Sequence, residues 1–185
     1  MVAKDAINAG IDMLQMREKN RSRKELLVLG TALASLCKKN SILFIVNDDP
    51  LLAKKLNADG VHLGQEDLLR FPLLETRNLL GKDKIIGLST HSPEQFKIAQ
   101  DQDFDYCAFG PVFFTKTKSY YIGTNDLGEV FQMAKKPVIC IGGITLRNVK
   151  KLVALGATNI AVIRAITEAG DIGMAVKSLK DALCT

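Results

Sequence analysis

Short apolar runs alternate along this chain with longer stretches in which apolar residues recur at helical spacing. Each run has the length of a buried strand, and the alternation with amphipathic stretches is typical of repeated βα units around a parallel sheet. The pattern predicts seven strands, at residues 12–16, 42–46, 60–63, 85–88, 105–109, 138–141 and 159–163.

Helix start signals fall between these runs. Ser22 and Glu25 have the spacing of a capping box and open an amphipathic stretch that extends to about residue 39. Ser92 precedes Pro93 in a similar way, and proline suits the first turn of a helix. Further helices are predicted at residues 3–10, 51–56, 73–80, 126–134, 146–155 and 172–183.

The glycine-rich segments favour a closed barrel over an open doubly wound sheet. Gly142 and Gly143 follow the penultimate strand, and Ile163-Arg164 lie at the end of the last one. Phosphate loops of (β/α)₈ barrels follow the last two strands, whereas open nucleotide-binding sheets carry GxGxxG or Walker motifs, which this sequence lacks. We therefore expect a TIM barrel of the α/β class that spans residues 1–185 as a single domain.

Composition narrows the class of partner. The 185 residues are 47% hydrophobic and 24% charged, as in an ordinary globular domain. The net charge of +5 is spread among acidic residues, which favours a small anionic substrate over nucleic acid. No apolar run is long enough for a membrane span or a signal peptide, and four widely spaced cysteines indicate reduced thiols. We expect a cytoplasmic protein, and the sequence does not decide between a monomer and a homo-oligomer.

Charged and polar residues follow several predicted strands, and the carboxyl ends of parallel strands meet at one rim. Gln15, Arg17 and Lys19 recur at a spacing of two, so they point to the same side if the strand continues. An amide, a guanidinium and an ammonium together suit the oxygens of a phosphate or diphosphate. A solvated strand end balanced by Glu18 explains the same residues, and the spacing alone leaves both interpretations open.

Asn47, Asp48 and Asp67 form a second cluster, at the ends of the second and third strands. Mg²⁺ needs only one or two carboxylates together with water and substrate phosphate oxygens. We expect Asp48 and Asp67 to bind the ion directly and Asn47 to hydrogen-bond substrate. The alternative role for an aspartate before Pro50 is to cap the next helix, and Asp49 is the better cap.

The segment Ser89-Thr90-His91 follows the fourth strand and offers hydroxyls and an imidazole. Serine and threonine at such a turn often serve only as caps. His62 lies inside an apolar strand, where a histidine is more often a hydrogen-bonded core residue than a ligand.

A longer loop begins at Gly110 and contains Thr115, Thr117 and Lys118. Long loops over a barrel mouth are usually lids or binding loops. The hydroxyls and lysines suit a phosphate clamp, and they equally suit a basic surface loop. Gly143 lets backbone amides approach an anion closely, which is compatible with a phosphate site but weak as a signal.

Seven short motifs stand in order along the chain: QMREK at 15–19, VNDD at 46–49, GVHLGQED at 60–67, GLSTH at 87–91, FGPVFFTKTK at 109–118, IGGIT at 141–145 and AVIRAI at 161–166. Together they resemble the thiamine phosphate synthase family over nearly the whole chain. The resemblance implies a (β/α)₈ barrel that joins a hydroxymethylpyrimidine diphosphate to a thiazole phosphate. The products would be thiamine phosphate and diphosphate, and Mg²⁺ would be the cofactor.

The resemblance also implies a role for each matching residue. Diphosphate would leave first, its charge stabilised by the catalytic residues Arg17, Lys19 and Lys118, and the thiazole nitrogen would then attack the benzylic-type cation. Asp48 and Asp67 would bind Mg²⁺. The pyrimidine substrate would contact Gln15, Arg17, Lys19, Asn47, Ser89 and Lys118. The thiazole phosphate would contact Thr115, Thr117, Gly143, Ile163 and Arg164.

The sequence departs from the family pattern in three places. The family begins with a strand that this chain lacks before residues 3–10, so we expect the protein to start further upstream. Phe114 replaces the usual proline of the long loop, and Arg164 replaces a common serine.

Three alternative functions compete with this interpretation. Thiazole tautomerases, which are isomerases on the same barrel, keep the STH turn but typically lack the acidic pair, so Asp48 and Asp67 argue against that activity. A non-catalytic phosphate-binding barrel is the second alternative, favoured by the missing first strand. Another phosphate-sugar barrel is the third, disfavoured because no catalytic lysine or glutamate lies in the core of a predicted strand.

Overall fold

Seven parallel strands form one sheet in the computed structural model of this chain, which describes residues 2–184. The strands are β1 (Met13–Met16), β2 (Leu43–Asn47), β3 (Gly60–Leu63), β4 (Ile85–Thr90), β5 (Tyr106–Phe109), β6 (Val138–Ile141) and β7 (Ile160–Ala161). They lie side by side in chain order. Parallel neighbours in sequential order are the arrangement of a TIM barrel, and the prediction of each strand is confirmed.

Helices pack outside the sheet and connect its strands. They are α1 (Val2–Asn8), α2 (Arg23–Lys39), α3 (Pro50–Lys55), α4 (Leu73–Leu80), α5 (Pro93–Ala99), α6 (Leu127–Met133), α7 (Val149–Val153), α8 (Arg164–Thr167) and α9 (Ile172–Leu183). A 3₁₀ helix at Asp67–Leu69 was not predicted. Within residues 2–184, no helix has the length and apolar character that crossing a membrane requires.

The predicted caps explain where several helices begin. The Ser22 side chain accepts a hydrogen bond from the N–H of Glu25, and the Glu25 side chain accepts one from the N–H of Ser22. The capping box is therefore confirmed. Ser92 caps α5 as predicted, and Asp49 caps α3 by accepting from the N–H of Leu52 at 2.7 Å.

Two elements, α7 and β7, are shorter than their apolar patterns predicted by three residues or more. The N–H of Thr145 donates to Oδ1 of Asn148 at 2.8 Å, and the N–H of Asn148 donates to the Thr145 carbonyl at 3.1 Å. This turn delays the start of α7 to Val149. β7 has only two residues, because among the described residues it is an edge strand that pairs with β6 alone.

The core lies between the sheet and the helices, and its largest fully buried side chains include Phe44, Phe96 and Phe109. β1 and β7 do not pair with each other within residues 2–184. At that side of the molecule α9 packs against α1, and Nζ of Lys180 donates to the Gly10 carbonyl at 2.5 Å. The ring of helices is therefore continuous where the ring of strands is open.

Strand register places a set of polar and aromatic residues on the inner face of the sheet. Paired residues of neighbouring strands share a face, and so do residues two apart in one strand. Asn47 on β2 pairs with His62 on β3, and Gly87 on β4 pairs with both His62 and Tyr106. The inner face therefore carries Gln15, Asn47, His62, Ser89 and Tyr106.

Candidate active site

Two carboxylates meet at the ends of β2 and β3. The pKa of Asp48 is raised to about 6, first by burial and then by the charge of Asp67 and the contact between the two side chains. Asp48 has a left-handed backbone with φ +65°, and its N–H donates to the carbonyl of His62 at 2.8 Å. The fold thus holds two like charges together. Their repulsion disfavours the ionised form of both carboxylates unless a cation binds between them.

A tight turn positions Asp67. Its Oδ2 accepts a hydrogen bond from the N–H of Gly64 at 2.8 Å, and its own N–H donates to the Gly64 carbonyl at 3.1 Å. The 3₁₀ helix Asp67–Leu69 follows directly. Because Oδ2 is fixed by the backbone, Oδ1 is the oxygen that can turn toward a ligand.

Arg17 and Lys19 lie close enough to the carboxylates to act on them. Their positive charges lower the pKa of Asp48, although burial and Asp67 outweigh them. Arg17 is partly buried and also lowers the pKa of His62, whereas Lys19 is exposed. The structure therefore brings two basic and two acidic side chains from three strand ends to one place.

Asp49 takes no part in this cluster, although it follows Asp48 directly. One of its oxygens caps α3, and the other pairs with Nη1 of Arg23. A cavity of about 360 Å³ opens beside Asp48, lined by Asn47 and Lys19 and on its apolar side by residues of α2 and α3. This cavity adjoins the carboxylate pair and includes only part of the predicted site.

The donor set around Asp48 fits a hard cation that keeps most of its own water. Within residues 2–184, no group of three or more His, Cys, Asp or Glu side chains is placed to hold a metal. A pair of carboxylates is nevertheless what Mg²⁺ uses when substrate phosphate oxygens complete its coordination. The repulsion between Asp48 and Asp67, which Arg17 and Lys19 only partly offset, is what this ion would relieve.

A buried hydrogen-bonded chain crosses the inner face beneath these charges. Nδ1 of His62 lies 2.9 Å from Oη of Tyr106, and Nε2 lies 2.8 Å from Oγ of Ser89. Burial lowers the pKa of His62 to about 4, so the ring is neutral. The prediction that His62 is a hydrogen-bonded core residue is confirmed.

Gln15 and Gln65 extend this chain at its two ends. A hydrogen bond from the Gln15 side chain opposes the rise in the pKa of Tyr106 that burial causes. Nε2 of Gln65 donates to the Ser89 carbonyl at 2.6 Å. The sequence did not indicate Tyr106 as a site residue, because a tyrosine inside an apolar strand looks like any other buried aromatic residue.

The rest of the STH turn is structural. Thr90 is fully buried, and its Oγ1 lies 3.2 Å from Sγ of Cys107 on the outer face of the sheet. Nδ1 of His91 lies 2.5 Å from the Gly110 carbonyl, which ties the turn to the long loop.

A second group of predicted residues gathers at the ends of β5, β6 and β7. Nη2 of Arg164 donates to Oγ1 of Thr115 at 3.4 Å, and Oγ1 of Thr115 donates to Oγ1 of Thr117 at 3.3 Å. Gly143 has φ +66°, and a Cβ there would lie 2.2 Å from the Phe114 carbonyl oxygen, so only glycine allows the loop to pass. Ile163 is exposed beside Arg164, at the start of α8.

Lys118 lies in the long loop between β5 and α6. It is exposed in the long loop, and it is absent from the charges that act on Asp48. The ring of Tyr120 in the same loop lies edge-on to His91, with ring centroids 6.0 Å apart. The loop therefore contacts the STH turn through Tyr120.

Comparisons with known proteins agree with this geometry. The sequence profile of a family described as thiamine monophosphate synthase matches residues 1–166. The thiamine-phosphate synthase of Halalkalibacterium halodurans is 40% identical over 174 residues, covering 92% of this chain and 81% of the relative. That of Lawsonia intracellularis is 38% identical over 185 residues, covering 98% and 84%. The structure of thiamine phosphate pyrophosphorylase from Pyrococcus furiosus superposes with a TM-score of 0.89 at 32% identity, covering 98% of this chain and 87% of that one.

Proposed function

Because this chain belongs to the thiamine monophosphate synthase family, we propose that it is a transferase that joins hydroxymethylpyrimidine diphosphate to thiazole phosphate and releases diphosphate. The observation that carries this proposal is the contact between Asp48 and Asp67, flanked by Arg17 and Lys19. An acidic pair next to two cations suits a metal-bound diphosphate, and it has no obvious use in a barrel that binds a single phosphate. The same pair argues against thiazole tautomerase activity.

Asp48 and Asp67 would hold Mg²⁺, and Asn47 would hydrogen-bond the pyrimidine substrate. When bound, Mg²⁺ would supply positive charge beside the diphosphate oxygens. Oδ1 of Asp67 is suited to this role because the backbone already fixes Oδ2. Asp48 is suited to it because a cation would replace the repulsion from Asp67 by attraction.

Arg17 and Lys19 would stabilise the negative charge that develops on diphosphate as its bond to the pyrimidine methylene breaks. Lys118 would join them from the long loop, where its side chain is exposed. Electrostatic stabilisation of a departing charge is commonly the largest contribution to catalysis of this kind. No protein nucleophile is required, because the leaving group departs before the new bond forms.

Thr115, Thr117 and Arg164 would hold the thiazole phosphate, with the backbone of Gly143 and Ile163. The hydrogen bond between Arg164 and Thr115 joins a guanidinium to a hydroxyl, and both groups can turn to phosphate oxygens. Anchored in this way, the thiazole nitrogen would attack the pyrimidine methylene cation. The protein contributes alignment of the two substrates at a shared rim.

The test is a coupled assay with both substrates, in which thiamine phosphate is separated and quantified. We expect product with Mg²⁺ and none with excess chelator, and we expect Asp48→Asn and Asp67→Asn to lose activity by about a hundredfold or more. Asp83→Asn is the matched control, because Asp83 is exposed and distant from the site in the fold. Undiminished turnover in chelator would contradict the metal role, and absence of product under every condition would contradict the function.

We further propose that the protein acts in the cytoplasm, which suits its four free cysteines.

A further inference from the structure

We propose that His62 and Tyr106 form a positioning relay that fixes the direction of the Ser89 hydroxyl. The relay runs from Tyr106 on β5 through His62 on β3 to Ser89 on β4, and Gln15 on β1 hydrogen-bonds Tyr106. The relay deepens the proposed function. It rests on that function because the proposed function has Gln15 and Ser89 contact the pyrimidine substrate. Neither His62 nor Tyr106 was predicted to have a role in the site.

The geometry of the relay is tightly constrained. His62 and Tyr106 are buried, and their rings stack with centroids 5.5 Å apart. Gly87 lies between them, and a Cβ at Gly87 would come within 2.4 Å of Oη of Tyr106 and 2.5 Å of Nδ1 of His62. Gln65 holds the Ser89 backbone at the other end. The fold therefore leaves these side chains little freedom to exchange partners.

Hydrogen bonding gives the relay a direction. A neutral imidazole has one N–H donor and one acceptor nitrogen, so the two bonds of His62 cannot both be donated by the ring. Gln15 hydrogen-bonds Tyr106 at the other end of the chain. In the proposed direction the Gln15 amide N–H is the donor and Oη of Tyr106 the acceptor, which leaves the phenolic O–H for His62. The O–H of Tyr106 then donates a hydrogen bond to Nδ1 of His62, so the ring N–H of His62 is at Nε2.

The direction of the relay determines which hydrogen-bonding group Ser89 presents to the substrate. Nε2–H of His62 donates to Oγ of Ser89 at 2.8 Å, which occupies an acceptor position of that hydroxyl. The hydroxyl hydrogen of Ser89 is then free to point into the mouth of the barrel. Ser89 therefore meets the substrate as a hydrogen-bond donor, which suits an acceptor such as an unprotonated nitrogen of an aminopyrimidine ring.

The tautomer of His62 tests the direction without any substrate. The chain has two histidines, so ¹⁵N-histidine NMR gives few signals, and His91→Gln assigns them. We expect the proton of His62 on Nε2. Gln15→Glu keeps the shape of the side chain but turns a donor into an acceptor, so it should reverse the chain and move the proton to Nδ1. Gln95→Glu is the matched control and should leave the His62 tautomer unchanged. A wild-type proton on Nδ1, or a Gln15→Glu variant with the wild-type tautomer, overturns the proposal.

Kinetics test whether the relay acts through Ser89. Tyr106→Phe should lower kcat/KM for the pyrimidine diphosphate about five- to tenfold, the loss expected for one oriented hydrogen bond, and leave KM for thiazole phosphate unchanged. In a Ser89→Ala background the same substitution should have no further effect. Thr90→Val removes a buried hydroxyl on the outer face and should leave both constants unchanged.

The outcomes separate this proposal from the proposed function. Equal losses from Tyr106→Phe with and without Ser89 overturn the relay but leave the synthase activity in place. A wild-type protein that makes no thiamine phosphate overturns the function, while the tautomer measurements still decide whether the relay exists.

Discussion

The N–H of Asp48 donates to the carbonyl oxygen of His62 at 2.8 Å, across neighbouring strands. This bond continues the β2–β3 ladder one residue beyond Asn47, while φ of +65° at Asp48 interrupts the alternation of the strand. The carboxylate of Asp48 is thereby brought against Asp67. One residue, His62, thus supports the acidic pair through its backbone and the Ser89 hydroxyl through its ring.

Replacing Asp48 by asparagine should stabilise the fold while abolishing activity. In the folded protein the pKa of Asp48 is raised from 3.8 to about 6, so its favourable contribution is fully present below 3.8 and is lost as pH rises through about 6. After allowance for partial exposure, the charged form costs about 1 kcal/mol at neutral pH. Asparagine removes this charge and tolerates the left-handed backbone.

Urea unfolding of wild type and Asp48→Asn without divalent cations measures this effect. The variant should exceed the wild type in free energy of unfolding at neutral pH, and the difference should shrink once the pH falls below the pKa of Asp48. Asp83→Asn serves as the control, and a variant less stable than wild type at neutral pH would contradict the repulsion between Asp48 and Asp67.

Mg²⁺ should make the wild type more stable than the Asp48→Asn variant. If the ion joins Asp48 and Asp67, saturating Mg²⁺ at a hundred times its dissociation constant raises the stability of the wild type by about 2.7 kcal/mol. Protons compete for the same carboxylates, so the apparent affinity should fall as pH drops through about 6. Thermal unfolding with and without chelator gives the measurement, and an equal Mg²⁺ effect on Asp48→Asn would place the ion elsewhere.

The sequence predicted the strands and most helix starts because both depend on local patterns. Apolar runs located the seven strands, and Ser22 and Asp49 were recognised as caps from their immediate neighbours. The short β7 and the late start of α7 were not predicted, because an edge position and the turn between Thr145 and Asn148 depend on partners rather than on apolar spacing.

The site was predicted in its composition but not in its internal connections. Residue types after each strand indicated Arg17, Asp48 and Asp67, and parallel strands then bring them to one rim. The left-handed turn at Asp48 and the partners of Tyr106 are set by tertiary contacts across β2 to β5, which no spacing along the chain reveals. The prediction for Lys118 depends on the path of a loop that has no regular structure, and apolar spacing does not determine that path.

Arg164 should affect one substrate and not the other. Its guanidinium lies beside Thr115 at the ends of β5 and β7, apart from the acidic pair. We expect Arg164→Ala to raise KM for thiazole phosphate about tenfold by removing one charge-assisted contact, with KM for the pyrimidine diphosphate unchanged. Arg147→Ala, at an exposed position, is the control. Equal increases in both KM values would indicate that Arg164 contributes to the fold rather than to the phosphate site.

Lys180 should contribute to stability because of where the sheet is open. β1 and β7 do not pair with each other within residues 2–184, and helix packing must hold this side together. Nζ of Lys180 joins α9 to the segment before β1, donating to the Gly10 carbonyl at 2.5 Å and to Oδ1 of Asp12 at 3.0 Å. The ion pair with exposed Asp12 is worth little by itself, so most of the effect should come from the carbonyl bond.

Lys180→Met keeps the aliphatic chain and should lower the free energy of unfolding by about 1 kcal/mol, with faster aggregation as strand edges become accessible. Lys177→Met lies on the same helix at an exposed position and should be neutral. Urea unfolding and light scattering of both variants give the comparison, and equal behaviour of the two would show that apolar packing of α9 alone closes the ring.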